Sequence, residues 1–210
     1  ISPNTKLENA TLLIKGNRII AGETNLEIPV GSIVTNLDGD YIYPSFIDLY
    51  SSYGVEKATK AAYNYRPQYQ TSKSGPYHWN EAVHPEISAS SNFKTNEKTA
   101  KEYLSNGFGT VLTHNKDGIL RGTGTLVSLS QKSDSENMLL TDGASFYSFN
   151  KGVSRQKNPS SLMGSIALIR QSFLDAEWYS RQTNQKNLSY EAINEQEKLP
   201  KIFSITNELD

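Results

Sequence analysis

The stretch YPSFIDLYSSYG, Tyr43–Gly54, decides the fold. Ser45–Tyr50 is a short, mostly apolar run, the pattern of a strand buried on both faces of a parallel sheet. Polar residues and Gly54 follow at once, so the strand runs into a loop. Barrel enzymes carry their reactive groups at such strand ends. Residues two apart on a strand point the same way, and here those residues are Tyr50 and Ser52.

Upstream, Thr11–Lys15 and Arg18–Ala21 are β-rich runs around Gly16-Asn17. Glycine and asparagine tolerate the positive φ of a two-residue hairpin turn, so a hairpin is predicted. SIVTNL and YIY read as two further short strands, separated by the turn Asp38–Asp40. Residues 9–43 thus read as a small antiparallel β module.

Downstream, Ser51 to about Asn92 is irregular and rich in Tyr, Ser, Pro and Asn. A stretch that long without periodicity is usually functional or poorly ordered. TNEKTAKEYLSNG predicts a helix capped by Thr95 or Asn96, with Gly107 in the left-handed position past its end. Phe108–Thr113 reads as a strand, as do GTLVSLS and NMLLTD. PSSLMGSIALIRQSFLDAEWYSRQ is the clearest helix, capped by Ser160 or Ser161, with Leu162, Ile166, Ile169 and Phe173 on one face. Ser189 is the expected cap of another helix, Tyr190–Leu199, and KIFSIT follows as a strand. The final NELD reads as a helix start, with Asn207 as cap and Glu208 and Asp210 in the first turn.

Strands followed by helices predict parallel βα units from Ser45 onward. Three barrel-type strands are counted, at 46–50, 108–113 and 201–206. A closed (β/α)8 barrel needs eight strands and about 250 residues, and no G-x-G-x-x-G marks a doubly wound sheet. The expectation is an α/β chain in two parts. Residues 1–44 form a small β-sandwich segment, and residues 45–210 form the first βα units of an incomplete TIM-like barrel, a fragment of a longer protein.

NATLLIKGNRIIAGE…IPVGSIVTNLDGDYIYPSFIDLY resembles the opening of the amidohydrolase superfamily, a small β segment followed by D-x-x-G-x-x-V-x-P-G-F-I-D-x-H-x-H. Gly39, Tyr41, Pro44, Phe46, Ile47 and Asp48 fit that pattern, and Ser45 replaces its glycine. SNGFGTVLTHNKDGILRGTGTLVSL and SFNKGVSRQKNPSSLMGSIALIRQSFLDAEWY are similar to one subgroup, the first, H-x-H-lacking unit of tandem amidohydrolase proteins of Bacteroidetes-type bacteria. The resemblance implies a metal-dependent-hydrolase fold and a periplasmic or secreted location. It also implies zinc or another divalent metal in active relatives, and catalysis left to a partner unit.

Carried over by position, the two metal-binding histidines of active members fall on Tyr50 and Ser52. A neutral phenol, with a pKa near 10, and a hydroxyl are weak ligands beside imidazole. Without a metal there is no water acidified toward pH 7 to act as nucleophile. No catalytic residue, metal ligand or cofactor is therefore expected in this segment. Its expected partner is the remainder of its own chain or an active amidohydrolase unit.

Other groups keep two readings each. His114, at the end of the second barrel strand, either binds a ligand or hydrogen-bonds a neighbouring loop. Arg121 in RGTG either faces an anion or marks a glycine-rich bend. Lys151, Arg155 and Lys157 precede a helix N-terminus, as an anion site or as a solvated basic loop. His78 and His84, with Glu81 and Glu86, either cluster on a metal or are loop polarity beside Trp79. Asp48 is expected to fix the strand end by hydrogen bonding.

Three functional readings follow. The first is a degenerate unit supporting an active C–N bond hydrolase. The second is an active metal-dependent amidohydrolase whose remaining ligands lie beyond residue 210. The third is a peptide- or glycan-binding module using Tyr63, Tyr65 and Tyr69 of the loop 51–92.

Composition agrees with these readings and closes others. With 210 residues, 36% hydrophobic and 20% charged, the chain can bury a core. A net charge of −1 without charge runs gives no pull toward nucleic acid or an anionic membrane. The absence of cysteine excludes disulfides, thiolate metal sites and a thiol nucleophile. The apolar run SLMGSIALI is too short to cross a bilayer.

Overall fold

The computed structural model describes residues 6–16, 18–62, 67–182 and 184–207. Asn17 of the predicted turn, Tyr63 and Tyr65 of the tyrosine-rich loop, and Glu208 and Asp210 after the last strand lie outside the described residues. The chain divides into two compact units, Ile1–Pro44 and Ser45–Asp210.

In the first unit, β1 (Thr11–Lys15) pairs antiparallel with β2 (Arg18–Glu23), Thr11 opposite Glu23 and Lys15 opposite Arg18. Gly16, at φ 61°, supplies the positive φ of the connection. The turn after Leu37 also forms: the Asp40 amide donates to the Leu37 carbonyl at 2.9 Å, with Asp38 and Gly39 at positive φ. Its flanks do not behave as predicted. Neither 32–37 nor 41–43 is a strand, so the described residues of this unit hold one two-stranded sheet rather than a sandwich. β propensity is realised through cross-strand neighbours, and these runs have none in the unit.

The second unit is built on a curled, half-barrel sheet of five strands in the order β3-β4-β5-β6-β7. These are Phe46–Ser51, Phe108–Thr113, Leu120–Ser128, Met138–Ser148 and Lys201–Ser204. β3 and β4 are parallel, as are β6 and β7, but β5 runs antiparallel to both its neighbours. The expected recurrence of parallel βα units is therefore broken in the middle. Residues 114–119 turn the chain straight back as a hairpin, with Gly118 at φ 81°.

The glycines of RGTG lie inside β5 and not in a bend before it. Gly122, at φ 79°, sits where the register between β5 and β6 slips, and a Cβ there would collide with the Ile87 carbonyl. β6 is longer than predicted. Its buried end, Ala144–Ser148, pairs in parallel with β7 from Ser145 onward, Phe146 opposite Ile202. β3 is an edge strand with Phe46, Ile47 and Leu49 exposed, so the expectation of full burial is also corrected.

Helix α1 (Glu97–Ser105) is capped by Asn96, whose side chain accepts from the Thr99 amide, and Gly107 follows it at φ 85°. A single turn, α2 (Asp134–Asn137), precedes β6. Helix α3 (Leu162–Tyr179) is capped by Ser161. Helix α4 (Leu188–Glu195) is capped by Asn187 rather than by Ser189. Ser189 is used elsewhere: its Oγ accepts from the His78 amide at 2.9 Å and donates to Glu86 at 2.7 Å.

Successive strand residues face opposite sides of the sheet. Val111 and Val127 pack outward with Leu129, Tyr53, Phe93 and Ala100 of α1. Ile119, Leu120 and Tyr147 pack against Ile169 and Ala176 of α3 and Ile193 of α4. Leu112, Ala144 and Phe146 face inward with Tyr50, Leu126 and Ile202. Each large apolar side chain fully buried this way contributes about 1.5–3 kcal/mol.

The long segment after β3 is tied to the sheet where it is described. Val83 and Ser88 form bridges to Leu120 and Thr123 of β5. Buried Gln156 donates from Nε2 to the carbonyls of Gln68, Gln70 and Trp79 at 3.0–3.1 Å. Among the described residues, no helix is long and apolar enough to cross a membrane.

Candidate functional site

The ends of β3, β4, β6 and β7 and the start of β5 share one rim of the sheet, because β5 alone is reversed. At this rim the inward row of side chains becomes polar. Tyr50 is next to last in β3, His114 directly follows β4, Arg121 is second in β5, and Ser204 closes β7.

Arg121 is only 6% exposed. Its Nε donates to the Gly118 carbonyl at 3.0 Å and its Nη1 to the Tyr50 phenol oxygen at 2.6 Å. The Lys116 ammonium sits 4.3 Å from the centroid of the Tyr50 ring, a cation–π distance. Burial alone would raise the Tyr50 phenol. Hydrogen bonding to Ser204 and Arg121, with the charges of Arg121 and Lys116, outweighs burial and holds it below the usual phenol range. Asp48, two residues earlier, accepts the Tyr50 amide at 2.9 Å and so fixes the strand end.

His114 is fully buried. Its ring stacks on Phe146 with centroids 3.6 Å apart and lies 4.8 Å from that of Tyr50. Neither ring nitrogen makes a well-formed hydrogen bond among the described residues, and the Ser51 backbone offers only a weak one. Burial first, then the charges of Arg121 and Lys116, push the imidazole down to about 3, so it is neutral at physiological pH. Ser52 lies just past β3, where its carbonyl accepts the Val55 amide at 3.3 Å.

The fold thus brings Tyr50, His114 and Arg121 together and leaves Arg155 apart. Arg155 donates from Nε to the Ala61 carbonyl at 2.8 Å, and Lys151 donates to the carbonyls of Gln156 and Lys157. The basic loop before α3 is therefore held by its own and neighbouring carbonyls. Sequence reading missed Lys116, Phe146 and Ser204. Lys116 was within reach of it, as a cation two residues past His114.

A second polar group lies under the long segment. His84 Nε2 stands 3.4 Å from Asp117 Oδ2, an ion-pair distance without a formed hydrogen bond. Burial would raise the Asp117 carboxyl, but His84 and the amides of Val153 and Gly118 hold it below the usual range. Lys73 donates to the Val83 carbonyl and lies 3.7 Å from Glu86, and its burial lowers its pKa. His78 does not join this group. It is buried against Trp79 and Tyr190, and burial with the Lys73 charge lowers it to about 4. Glu81 accepts from Ser72, and Glu86 from Ser189. The four residues proposed as a metal cluster are thus dispersed, and among the described residues no three His, Asp or Glu converge on one point.

Tyr69 is exposed and its ring lies 5.2 Å from that of Trp79, while Tyr53 is buried against Phe93 and Tyr103. Among the described tyrosines of the long segment, Tyr53 and Tyr69 do not share one exposed face.

A divalent ion fits the Tyr50 position poorly. The phenol oxygen already accepts from a guanidinium at 2.6 Å and a lysine covers its ring, so a metal would enter a field of two positive charges. Asp48 at the same strand end is engaged by the Tyr50 amide, and neither cation is paired with a carboxylate among the described residues.

No family model and no curated protein matches the chain. In structure it is similar to an amidohydrolase from Thermotoga maritima, with a TM-score of 0.71 and 19% sequence identity. The match covers 94% of this chain and 54% of that one, so this chain spans about half the length of its structural neighbour. At that identity the likeness establishes an amidohydrolase-like fold and nothing finer.

Proposed function

We propose that this chain is an amidohydrolase-like unit without a metal centre, serving as structural or regulatory support for an active C–N bond hydrolase unit. The observation that carries the reading is the Arg121–Tyr50 hydrogen bond. The family resemblance assigns a metal ligand to Tyr50, and a buried cation is bonded to that oxygen instead. A metal-bound hydroxide, which active relatives use, requires a site that attracts a divalent ion. This rim repels one.

The partner in this reading is either further sequence of the same protein or a separate hydrolase unit. The half-barrel sheet supports it, because a β3 edge and a β7 edge invite further strands. The activity of the T. maritima neighbour belongs to that protein; here it suggests only the class of reaction the partner performs.

The test is made on the full-length protein, assayed on cyclic amides and peptide-like amides. Tyr50→Phe and Ser52→Ala are expected to leave kcat essentially unchanged. Loss of hydrolysis on either substitution, with the fold intact by circular dichroism, would mean that this rim is itself catalytic.

A further inference from the structure

We infer that Arg121, with Lys116 and the Tyr50 hydroxyl, forms a binding site for a carboxylate group at the strand ends. The inference rests on the reading that Tyr50 and Ser52 hold no metal.

A buried guanidinium is normally neutralised by an acid. Arg121 is 6% exposed, and its described partners are a carbonyl and a phenol, both neutral groups. The nearest acid along the chain, Asp117, is turned away to His84 and to the Val153 amide at 2.8 Å. Lys116 brings a second positive charge to the same phenol. Asp48, the other acid at this strand end, accepts the Tyr50 amide at 2.9 Å. Neither Arg121 nor Lys116 makes an ion pair with a carboxylate among the described residues.

His114 is an independent observation pointing to a ligand. It is fully buried beside Tyr50, and neither nitrogen makes a well-formed hydrogen bond among the described residues, the Ser51 carbonyl offering a weak one. A neutral imidazole always carries one N–H donor, and an anionic oxygen beside Tyr50 gives such a donor something to bond.

The donors favour a carboxylate over a phosphate. A planar guanidinium edge matches the two oxygens of a carboxylate. Phosphate sites are commonly built from helix N-termini or from runs of backbone amides, and the groups meeting here are side chains on strand ends.

The test is a titration of the full-length protein with sodium acetate at constant ionic strength, following the Arg121 Nε–H and His114 ring signals by NMR. Sodium phosphate and sodium chloride are the comparison salts. The expected result is a saturable shift with acetate, at a Kd on the order of 1 mM, weaker binding of phosphate, and none of chloride. Lys116 is exposed, so Lys116→Ala keeps the fold, and it is expected to weaken acetate binding about fivefold. Arg121→Gln is expected to abolish it. Absence of saturation, phosphate binding more tightly than acetate, or an unchanged Kd in Lys116→Ala would overturn the proposal. So would a Tyr50 phenolate in the near-ultraviolet spectrum at neutral pH, since it would neutralise Arg121 from within. Zinc held at Tyr50 would overturn both this site and the metal-free reading, whereas failure to bind acetate without zinc would overturn this site alone.

Discussion

Arg121 donates a hydrogen bond of 2.6 Å to the Tyr50 phenol across 71 positions of sequence. It joins the start of the reversed strand β5 to the end of the edge strand β3. A uniform βα succession would not have brought these two side chains together, because β5 would then have met the rim with its other end.

This pairing bears on building a metal site at the rim. Replacing Tyr50 and Ser52 together by histidine places two imidazoles at i, i+2 on the strand end. Arg121 remains beside them, and two unit charges about 4 Å apart at a protein surface interact by about 4 kcal/mol at an effective dielectric of 20. Tyr50→His/Ser52→His is therefore expected to bind zinc weakly by isothermal titration calorimetry. Adding Arg121→Met is expected to improve the affinity at least tenfold.

The buried histidines set an acid limit on stability. His78, facing Lys73 and Asp175, and His114, facing Arg121 and Lys116, are held down to about 4 and about 3, against 6.5 in the unfolded chain. The unfolded chain therefore binds protons more readily between those values. Their contribution is complete above about pH 6.5 and is lost as pH falls toward 4 and then 3. Each histidine removes about 1.4 kcal/mol per pH unit within its window. Urea midpoints measured from pH 7 to pH 4.5 are expected to fall steadily, and a His78→Gln/His114→Gln double variant is expected to flatten the slope.

Gly122 and Gly16 both have positive φ but differ in surroundings. A Cβ on Gly122 meets the Ile87 carbonyl, whereas one on Gly16 meets nothing within 4 Å. Gly122→Ala is expected to cost about 3–5 kcal/mol in chemical denaturation, through backbone strain plus a steric clash. Gly16→Ala is expected to cost about 1–2 kcal/mol, the strain alone.

Gln156 binds the long segment to the loop after β6 from both ends of its amide. Oε1 accepts the Glu81 amide at 2.9 Å while Nε2 serves three carbonyls. Gln156→Ala leaves these groups unpaired in a buried place, at a cost of about 1–3 kcal/mol. Limited proteolysis is expected to cut between residues 67 and 81 sooner in the variant than in the parent.

Local signals in the sequence were read correctly where one residue decides the outcome. Asn96 and Ser161 cap their helices, and Gly107 ends the first of them. Asn187 displaced Ser189 as a cap because both residue types suit the role, and only the tertiary bonds of Ser189 to His78 and Glu86 separate them. The buried end of β6 was hidden because ASFYS lacks the β-branched residues that mark strands. SIVTNL carried those residues and still formed no strand. The candidate site was half legible. Tyr50, His114 and Arg121 were each noted, but their convergence depends on the hairpin reversal of β5, which no single residue type announces.

We propose that the rim at Tyr50 is lined by cations and holds no metal. The most direct test is to incubate the full-length protein with excess zinc, remove loose metal by gel filtration, and count bound zinc in the parent and in Tyr50→Phe, Ser52→Ala and His114→Ala. Zinc content is expected to be identical in all four proteins. An equivalent of zinc held by the parent and lost in any of the three variants would contradict it.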